Sequence, residues 1–249
     1  MKITFLGTNG WYDTNTGNTI CTLIETKDYF VILDAGNGFY KLDKYIRSEK
    51  PIYLFLSHFH LDHIVGLHTK NKFNFKQGIK IYGQKGTKDI LSKIINQPFT
   101  LPFECKEMLY NVEIYELSEQ SSILPFPVEF KQLLHWSPCL GYRFNLEEKT
   151  ISYCVDTAPC ENLLELAQNA DLLITECSFK IGERYEKLPH LNPETAAKIA
   201  QKAKVKNLAL THFDAYRYQT LKERKEAQKI AKTIFKNTIS AVDDMKIEI

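Results

Sequence analysis

Leu54-Phe55-Leu56-Ser57-His58-Phe59-His60-Leu61-Asp62-His63-Ile64-Val65-Gly66-Leu67 decides how the rest of this chain is read. The apolar run behind Pro51 is short, rich in large hydrophobic residues and bounded by a breaker, which predicts a buried strand. Three histidines and an aspartate stand at its end. His58 and His60 are two apart, so in extended chain their rings project to the same side. Asp62 is placed to cap a helix starting at His63, with Ile64, Val65 and Leu67 feeding the buried face of that helix. Four potential ligands thus converge at the carboxyl end of one strand. Imidazole and carboxylate donors suit zinc and similar borderline ions, and open coordination positions leave room for a water made acidic by the ion. The plain alternative is a set of separate surface or core histidines; it fits poorly, because ionisable groups buried without a partner are costly.

His-x-His-x-Asp-His directly after a hydrophobic strand resembles the metal-binding signature of the metallo-β-lactamase superfamily. The bulk properties suit such a protein. A chain of 249 residues with 44% hydrophobic residues can bury a large core, and one α/β domain over residues 1–249 is the expectation. Net charge of +2 and a pI near 8.1 lack the strong basic excess of a dedicated nucleic-acid binder. Met1-Lys2 leads straight into a strand rather than a secretory leader, and no apolar run approaches the roughly 20 residues needed to span a bilayer. A cytoplasmic protein with no membrane partner is therefore expected. Cys21, Cys105, Cys139, Cys154, Cys160 and Cys177 are scattered and form no Cys-x-x-Cys pair, so reduced thiols are expected, with a structural zinc site on the last four as the alternative.

Along the chain, Ile3–Leu6, Thr19–Glu25 and Tyr29–Leu33 read as strands, the last two joined as a hairpin, and Asp34-Ala35-Gly36-Asn37-Gly38 opens a helix through about Ser48. The first strands and the one carrying the histidines should share a sheet. Thr69–Lys80 mixes lysines with Phe73 and Phe75; it reads as a solvated loop with anchoring aromatics, or else as a surface that meets phosphates and stacks bases. Ile79–Tyr82 is a strand and Thr87–Ile95 a helix, and Pro98–Pro102 is a lid or a packed loop. Val112–Leu117, Val128–Leu134, Leu140–Phe144 and Thr150–Val155 are a second series of strands and predict a second sheet. Glu161–Gln168, Pro193–Lys202 and Leu221–Lys236 are helices, the second capped by Asn192. Asp171–Thr175 is a strand, and Leu208–Thr211 is read as the last one. Together with the motif, this order resembles the αββα four-layer sandwich of the superfamily, an α/β fold, over nearly the whole chain.

Further ligands should stand at strand ends, where rigid elements fix geometry. His135, Asp156 and His212 each follow an apolar run. The ordinary reading of Asp156 is a cap for the helix from Glu161. By the resemblance, His58, His60 and His135 hold one divalent ion, Asp62, His63 and His212 hold another, and Asp156 bridges them. Carboxylates and a shared hydroxide would offset the charge of two ions. The ions are expected to be zinc, with manganese or iron accepted by the same donors.

Several stretches are similar to the ribonuclease Z branch: His135 followed by Gly141-Tyr142-Arg143, Val155-Asp156-Thr157, the stretch Ala170–Phe179 as a buried strand ending in the glutamate Glu176, and His190 ahead of Glu194-Thr195-Ala196-Ala197 with Thr211-His212-Phe213 downstream. This resemblance implies phosphodiester hydrolysis by a hydroxide between two metals, with Asp62 accepting or orienting its proton and His190 protonating the leaving group. Without the resemblance, His190 reads as an exposed loop histidine after Pro189. Glu176 and Glu194 are both candidates to orient it.

The departures narrow the substrate. The branch inserts a long RNA-binding arm between the positions matched by His135 and Asp156, which here are only 21 apart and nearly filled by a strand pair. Asp214 in the loop after His212 would repel a polyanion, and Asn37-Gly38-Phe39 replaces an acidic Glu-Gly-Thr. The first expectation is a phosphodiesterase acting on a small, nucleotide-like diester. The alternatives are a tRNA 3′-processing endonuclease acting on RNA without the arm, a thioesterase or lactonase of the same fold, and a non-catalytic metal-binding protein. A homodimer is an expectation of the resemblance alone.

Overall fold

Phe30-Val31-Ile32-Leu33 is apolar at every position and buried at every position, as a strand covered on both faces must be. Its side chains divide by parity. Val31 and Leu33 enter one hydrophobic cluster with Ile3, Phe5 and Phe55, whereas Phe30 and Ile32 enter another with Leu23, Leu54 and Ile81. This period of two recurs in Leu172-Leu173-Ile174, where Leu172 and Ile174 join the first cluster and Leu173 a third. Two sheets therefore share one inner layer, and each has a helical outer layer.

The computed structural model describes residues 1–105, 107–118, 124–183 and 189–249. Its strands are β1 (Lys2–Gly7), β2 (Asn9–Gly10), β3 (Cys21–Glu25), β4 (Phe30–Leu33), β5 (Ile52–Phe55), β6 (Ile79–Gly83), β7 (Val112–Glu116), β8 (Val128–Leu133), β9 (Cys139–Leu146), β10 (Lys149–Cys154), β11 (Leu172–Glu176), β12 (Asn207–Thr211), β13 (Phe213–Asp214), β14 (Thr238–Ser240) and β15 (Met245–Glu248). The α-helices are α1 (Leu61–Ile64), α2 (Thr87–Ile94), α3 (Glu161–Ala167), α4 (Pro193–Lys202) and α5 (Leu221–Ile234), joined by 3₁₀ segments at Asn37–Lys44 and Val65–Lys72. One sheet has the order β15-β1-β3-β4-β5-β6-β7 and the other β14-β12-β11-β10-β9-β8. Residues of α2 and both 3₁₀ segments cover the first, and α3, α4 and α5 cover the second. The expected αββα sandwich is the observed fold.

Several expectations are corrected. Val112–Glu116 pairs in parallel with β6 and closes the first sheet instead of opening the second. Leu208–Thr211 is not the last strand: β14 and β15 follow, and Met245 and Ile247 alternate with polar residues as an edge strand should. The helix expected from Asp34 to about Ser48 is a 3₁₀ segment ending at Lys44. In the Lys-rich stretch, Lys70 is buried with its Nζ on the Leu101 carbonyl, and Phe73 and Phe75 lie in the core. Lys72 and Lys76 pair with Asp43 and Glu49. The stretch is the solvated, anchored segment, with no aromatic faces left for bases. The four cysteines of the alternative zinc site are all free thiols, and no cysteine joins a metal-competent group among the described residues.

What this topology does for chemistry is directional. The parallel pairs β4–β5 and β10–β11–β12 bring their carboxyl ends to one side, where open α/β sheets place their ligand sites. The short parallel pair β2–β13 stitches the first loop of the chain to the loop after β12 on the same side.

Candidate metal centre

Seven of the eight residues singled out fall into two groups whose donor atoms lie within 4.8 Å of one another, His58, His60, His135 and Asp156 in one and Asp62, His63 and His212 in the other. His190 stands beside them with Asp156 and Glu176. Most come from just beyond the carboxyl end of a strand, with Asp62 and His63 in α1 behind β5 and His190 ahead of α4. β5 runs into His58 and His60, β8 into His135, β10 into Asp156 and β12 into His212.

Asp62 is not the cap of its helix. The helix α1 begins at Leu61 with His60 at the N-cap and no side-chain cap bond, so Asp62 lies in the first turn. Its Oδ2 accepts the Trp11 backbone N–H at 2.7 Å and lies 3.3 Å from His212 Nε2. Asp156 is not a cap either, since α3 starts after Cys160. The Asp156 carboxylate instead lies between the groups, with Oδ2 at 3.2 Å from His58 Nε2 and 3.1 Å from His63 Nε2, and Oδ1 at 3.1 Å from His212 Nδ1.

Nitrogen faces nitrogen in two places. His63 Nε2 is 3.1 Å from His212 Nε2, and His135 Nε2 is 3.3 Å from His60 Nδ1. Buried polar atoms also lack well-aligned hydrogen bonds: His135 Nδ1 has none, and His58 Nε2 and Asp156 Oδ1, although close to Asp156 Oδ2 and His212 Nδ1, make none of good geometry, where such atoms are normally satisfied. Converging lone pairs and orphaned donors are what divalent cations would satisfy, so the residues fit the ions that the resemblance implies.

Electrostatics distinguishes the two groups, with neutral imidazoles in the first and proton-holding His63 and His212 among carboxylates in the second. Burial drives His58 and His60 below the ordinary imidazole range, and burial takes His135 down to about 3; all three are neutral, the form that ligates. Burial opposes charge on His63 as well, but Asp34, Asp62 and Asp156 outweigh it and raise its pKa well above the usual value. For Asp62, burial is overcome by His63 and His212, which hold the carboxyl below the usual carboxylate range.

Around the donors is a layer that the sequence reading passed over. Asp34 Oδ2 accepts from His63 Nδ1 at 2.8 Å, Ser57 Oγ at 2.8 Å and Tyr153 OH at 2.7 Å, and its Oδ1 accepts the Ser57 N–H at 2.7 Å. It fixes His63 with Nε2 toward the centre, the usual arrangement for a ligating imidazole. Ser137 Oγ is 3.1 Å from His60 Nε2, and Ser178 Oγ 3.3 Å from His212 Nδ1. Asp34 follows an apolar strand just as His135, Asp156 and His212 do, a signal that offers it as a candidate without revealing its partner His63.

The carboxylate hydrogen-bonded to His190 is Glu176, with Asp156 Oδ1 farther away at 3.9 Å. The two Glu176 oxygens accept from His190 Nδ1 at 2.9 and 3.1 Å. They also accept the N–H groups of Thr157, Leu191 and Ser178, so Glu176 is saturated as an orienter. Burial disfavours charge on His190, but Glu176 outweighs it and lifts the pKa to about 9. Glu194 sits in the first turn of α4 and plays no part here.

Backbone at the centre is unusual in one consistent way: Asp34, Asp156 and His212 have φ of 56°, 52° and 48°. Left-handed backbone is tolerated best by Asp, Asn and His and clusters at functional sites. Gly10 shows how tightly the loops close on the donors, since a Cβ there would lie 2.4 Å from His212 Cε1.

Residues 29–213 match the Beta-lactamase superfamily domain. The chain is 28% identical to a protein named Ribonuclease Z from Methanosarcina acetivorans, over all of this chain and 98% of that one, in an alignment of 310 positions. That is well beyond the 249 residues here, so the relative has segments with no counterpart in this chain. The structure superposes on the metallo-beta-lactamase fold protein YhfI from Bacillus subtilis with a TM-score of 0.82 at 24% identity, covering 100% and 98% of the two chains. It superposes on the short form of human tRNase Z with a TM-score of 0.77 at 23% identity, covering 100% and 99%. The family match spans most of the chain and encloses every donor from His58 to His212, and this protein belongs to the beta-lactamase superfamily.

Proposed function

We propose that this chain is a two-metal phosphodiesterase acting on small or short phosphodiesters, with His58, His60 and His135 holding one ion, Asp62, His63 and His212 the other, and Asp156 between them. Zinc is the ion we assign, because imidazoles with few carboxylates suit it best. The observation that carries the reading is the pairing of these two donor groups with a histidine held by a saturated carboxylate. When bound, the ions supply Lewis acidity and lower the pKa of water.

The protein's own groups divide the proton traffic. Asp62, kept ionised at the edge of the second donor group, accepts or orients the proton of the attacking water. Glu176 occupies His190 Nδ1, which leaves Nε2 to protonate the departing alkoxide oxygen. Asp34, Ser137 and Ser178 keep imidazoles aimed, and positioning of this kind is a large part of catalysis.

Substrate size follows from what joins His135 to Asp156. That connection is consumed by the antiparallel pair β9–β10, and no basic arm can fit in it. The cations of the Lys70–Lys76 stretch are engaged within the chain. A second reading, tRNA 3′ processing, is favoured by relatives named Ribonuclease Z that match the whole chain. Both readings keep the protein off membranes, and no described helix is long and apolar enough to cross one. The test is hydrolysis of a chromogenic bis-aryl phosphodiester beside a precursor tRNA with a 3′ trailer. Turnover of the ester without tRNA cleavage is expected, and accurate trailer removal would make the second reading the right one.

A further inference from the structure

The chain has two tryptophans, and both are exposed residues attached to the donor cluster, Trp11 by its backbone N–H on Asp62 and Trp136 as the neighbour of His135. Trp11 is 67% exposed and Trp136 66%. Exposed apolar side chains mark a binding surface where several lie together, and Leu61 and Leu134, each next in the chain to a donor, are exposed as well. Trp11 belongs to the second donor group: its N–H is bonded to Asp62, and it follows Gly10, which abuts the His212 ring. Its backbone is left-handed, at φ 74°, a conformation that a bulky residue adopts only where the surroundings impose it. Trp136 belongs to the first group, set between His135 and Ser137, whose Oγ lies 3.1 Å from His60. Tyr216, four residues after His212, is 64% exposed.

Among the described residues on this side, the cations near the donors are paired within the chain. Arg217 is paired with Glu183 and Asp214, and Lys180 with Glu223. Exposed indoles next in the chain to ion donors, with the described cations nearby already paired, suit a single phosphate carrying a flat group better than a phosphate tract.

We propose that Trp11 and Trp136 are the residues that select the ester's substituent, a planar ring stacking on one of the two indoles while the phosphate lies at the donor cluster. This rests on the phosphodiesterase reading for the phosphate and on the two indoles for the ring. Trp11 and Trp136 are specificity-determining residues that touch the ester's substituent; the proton-handling groups remain Asp62 and His190.

Because these are the chain's two tryptophans, intrinsic fluorescence reports the site directly. The metal-loaded protein is titrated with adenosine 5′-monophosphate, phenyl phosphate and ribose 5-phosphate. Saturable quenching by the first two and not by the third is expected, and the tighter of the two tells nucleobase from aryl group. Trp11→Ala and Trp136→Ala, both at exposed positions, are then compared on an aryl diester and an alkyl diester. The ratio of their kcat/KM values should fall roughly tenfold in at least one variant, within the range that base–aromatic stacking supplies. Equal quenching by ribose 5-phosphate, absence of quenching, or an unchanged ratio in both variants would overturn the proposal. Ring-selective quenching in a protein that hydrolyses no diester would instead overturn the phosphodiesterase reading and leave the ring site standing.

Discussion

Asp34 makes four hydrogen bonds from a fully buried position, yet nothing in its local sequence separates it from any aspartate after a strand. Its partner His63 lies 29 residues away, and such a pairing is legible only once β4 and β5 are known to be neighbours. The six residues from His58 to His63 were legible because they are contiguous and their spacing is itself chemistry. Asp34→Ala should weaken metal affinity by roughly 10–100-fold, the usual effect of losing the partner of a ligating histidine, as read by competition with a chromogenic chelator. His190→Ala should keep its metal and lose most hydrolysis, whereas Asp156→Ala should lose metal as well. Elemental analysis beside turnover separates them, and equal metal loss in both would sink the role given to His190.

Elements position these residues through a few buried anchors. Asn192 caps α4 by accepting the Thr195 N–H at 2.9 Å, with Thr195 returning the bond, and this fixes the chain two residues beyond His190. That cap, with Pro193 behind it, was readable from the sequence. Arg224 was not: it stands among the lysines of α5 and reads as part of a solvated face. Instead it is fully buried. Its guanidinium donates to Thr8 Oγ1 at 2.8 Å, to Asn9 Oδ1 and to Thr16 Oγ1 at 2.9 Å, and it lies over the Phe213 ring. It therefore locks the loop that carries Gly10 and Trp11 against the loop that follows His212. Arg224→Met would strand several of those acceptors, and a loss of about 3 kcal/mol is expected at the ~1–3 kcal/mol cost of each unsatisfied buried group. Chemical denaturation measures it, and an unchanged midpoint would mean that the loops hold without the arginine.

For the molecule as a whole, the donors come from both sheets. Asp34 and the His58–His63 segment follow strands of the first; His135, Asp156, Glu176 and His212 follow or end strands of the second. Metal should then act as a clamp between the sheets, and chelation should lower thermal stability. At a free ion concentration a hundredfold above Kd the linkage is about 2.7 kcal/mol, which for a chain of this size is roughly 5–10 °C in Tm. Calorimetry with and without chelator tests this, and an unchanged Tm would contradict a clamp. The four-layer fold was legible because one motif and the order of elements pointed to it. The placement of β7 and the existence of β14 and β15 were not, because strand pairing depends on contacts far apart in the chain, and short edge strands carry little pattern.

The most direct test of the account is stoichiometric. Protein stripped with chelator is titrated with zinc from zero to three equivalents, and bound metal and hydrolysis of a bis-aryl phosphodiester are measured on the same samples. Two ions bound per chain, with activity rising and levelling off at the second, is the predicted result. Full loading without turnover, or turnover that ignores the metal, would contradict it.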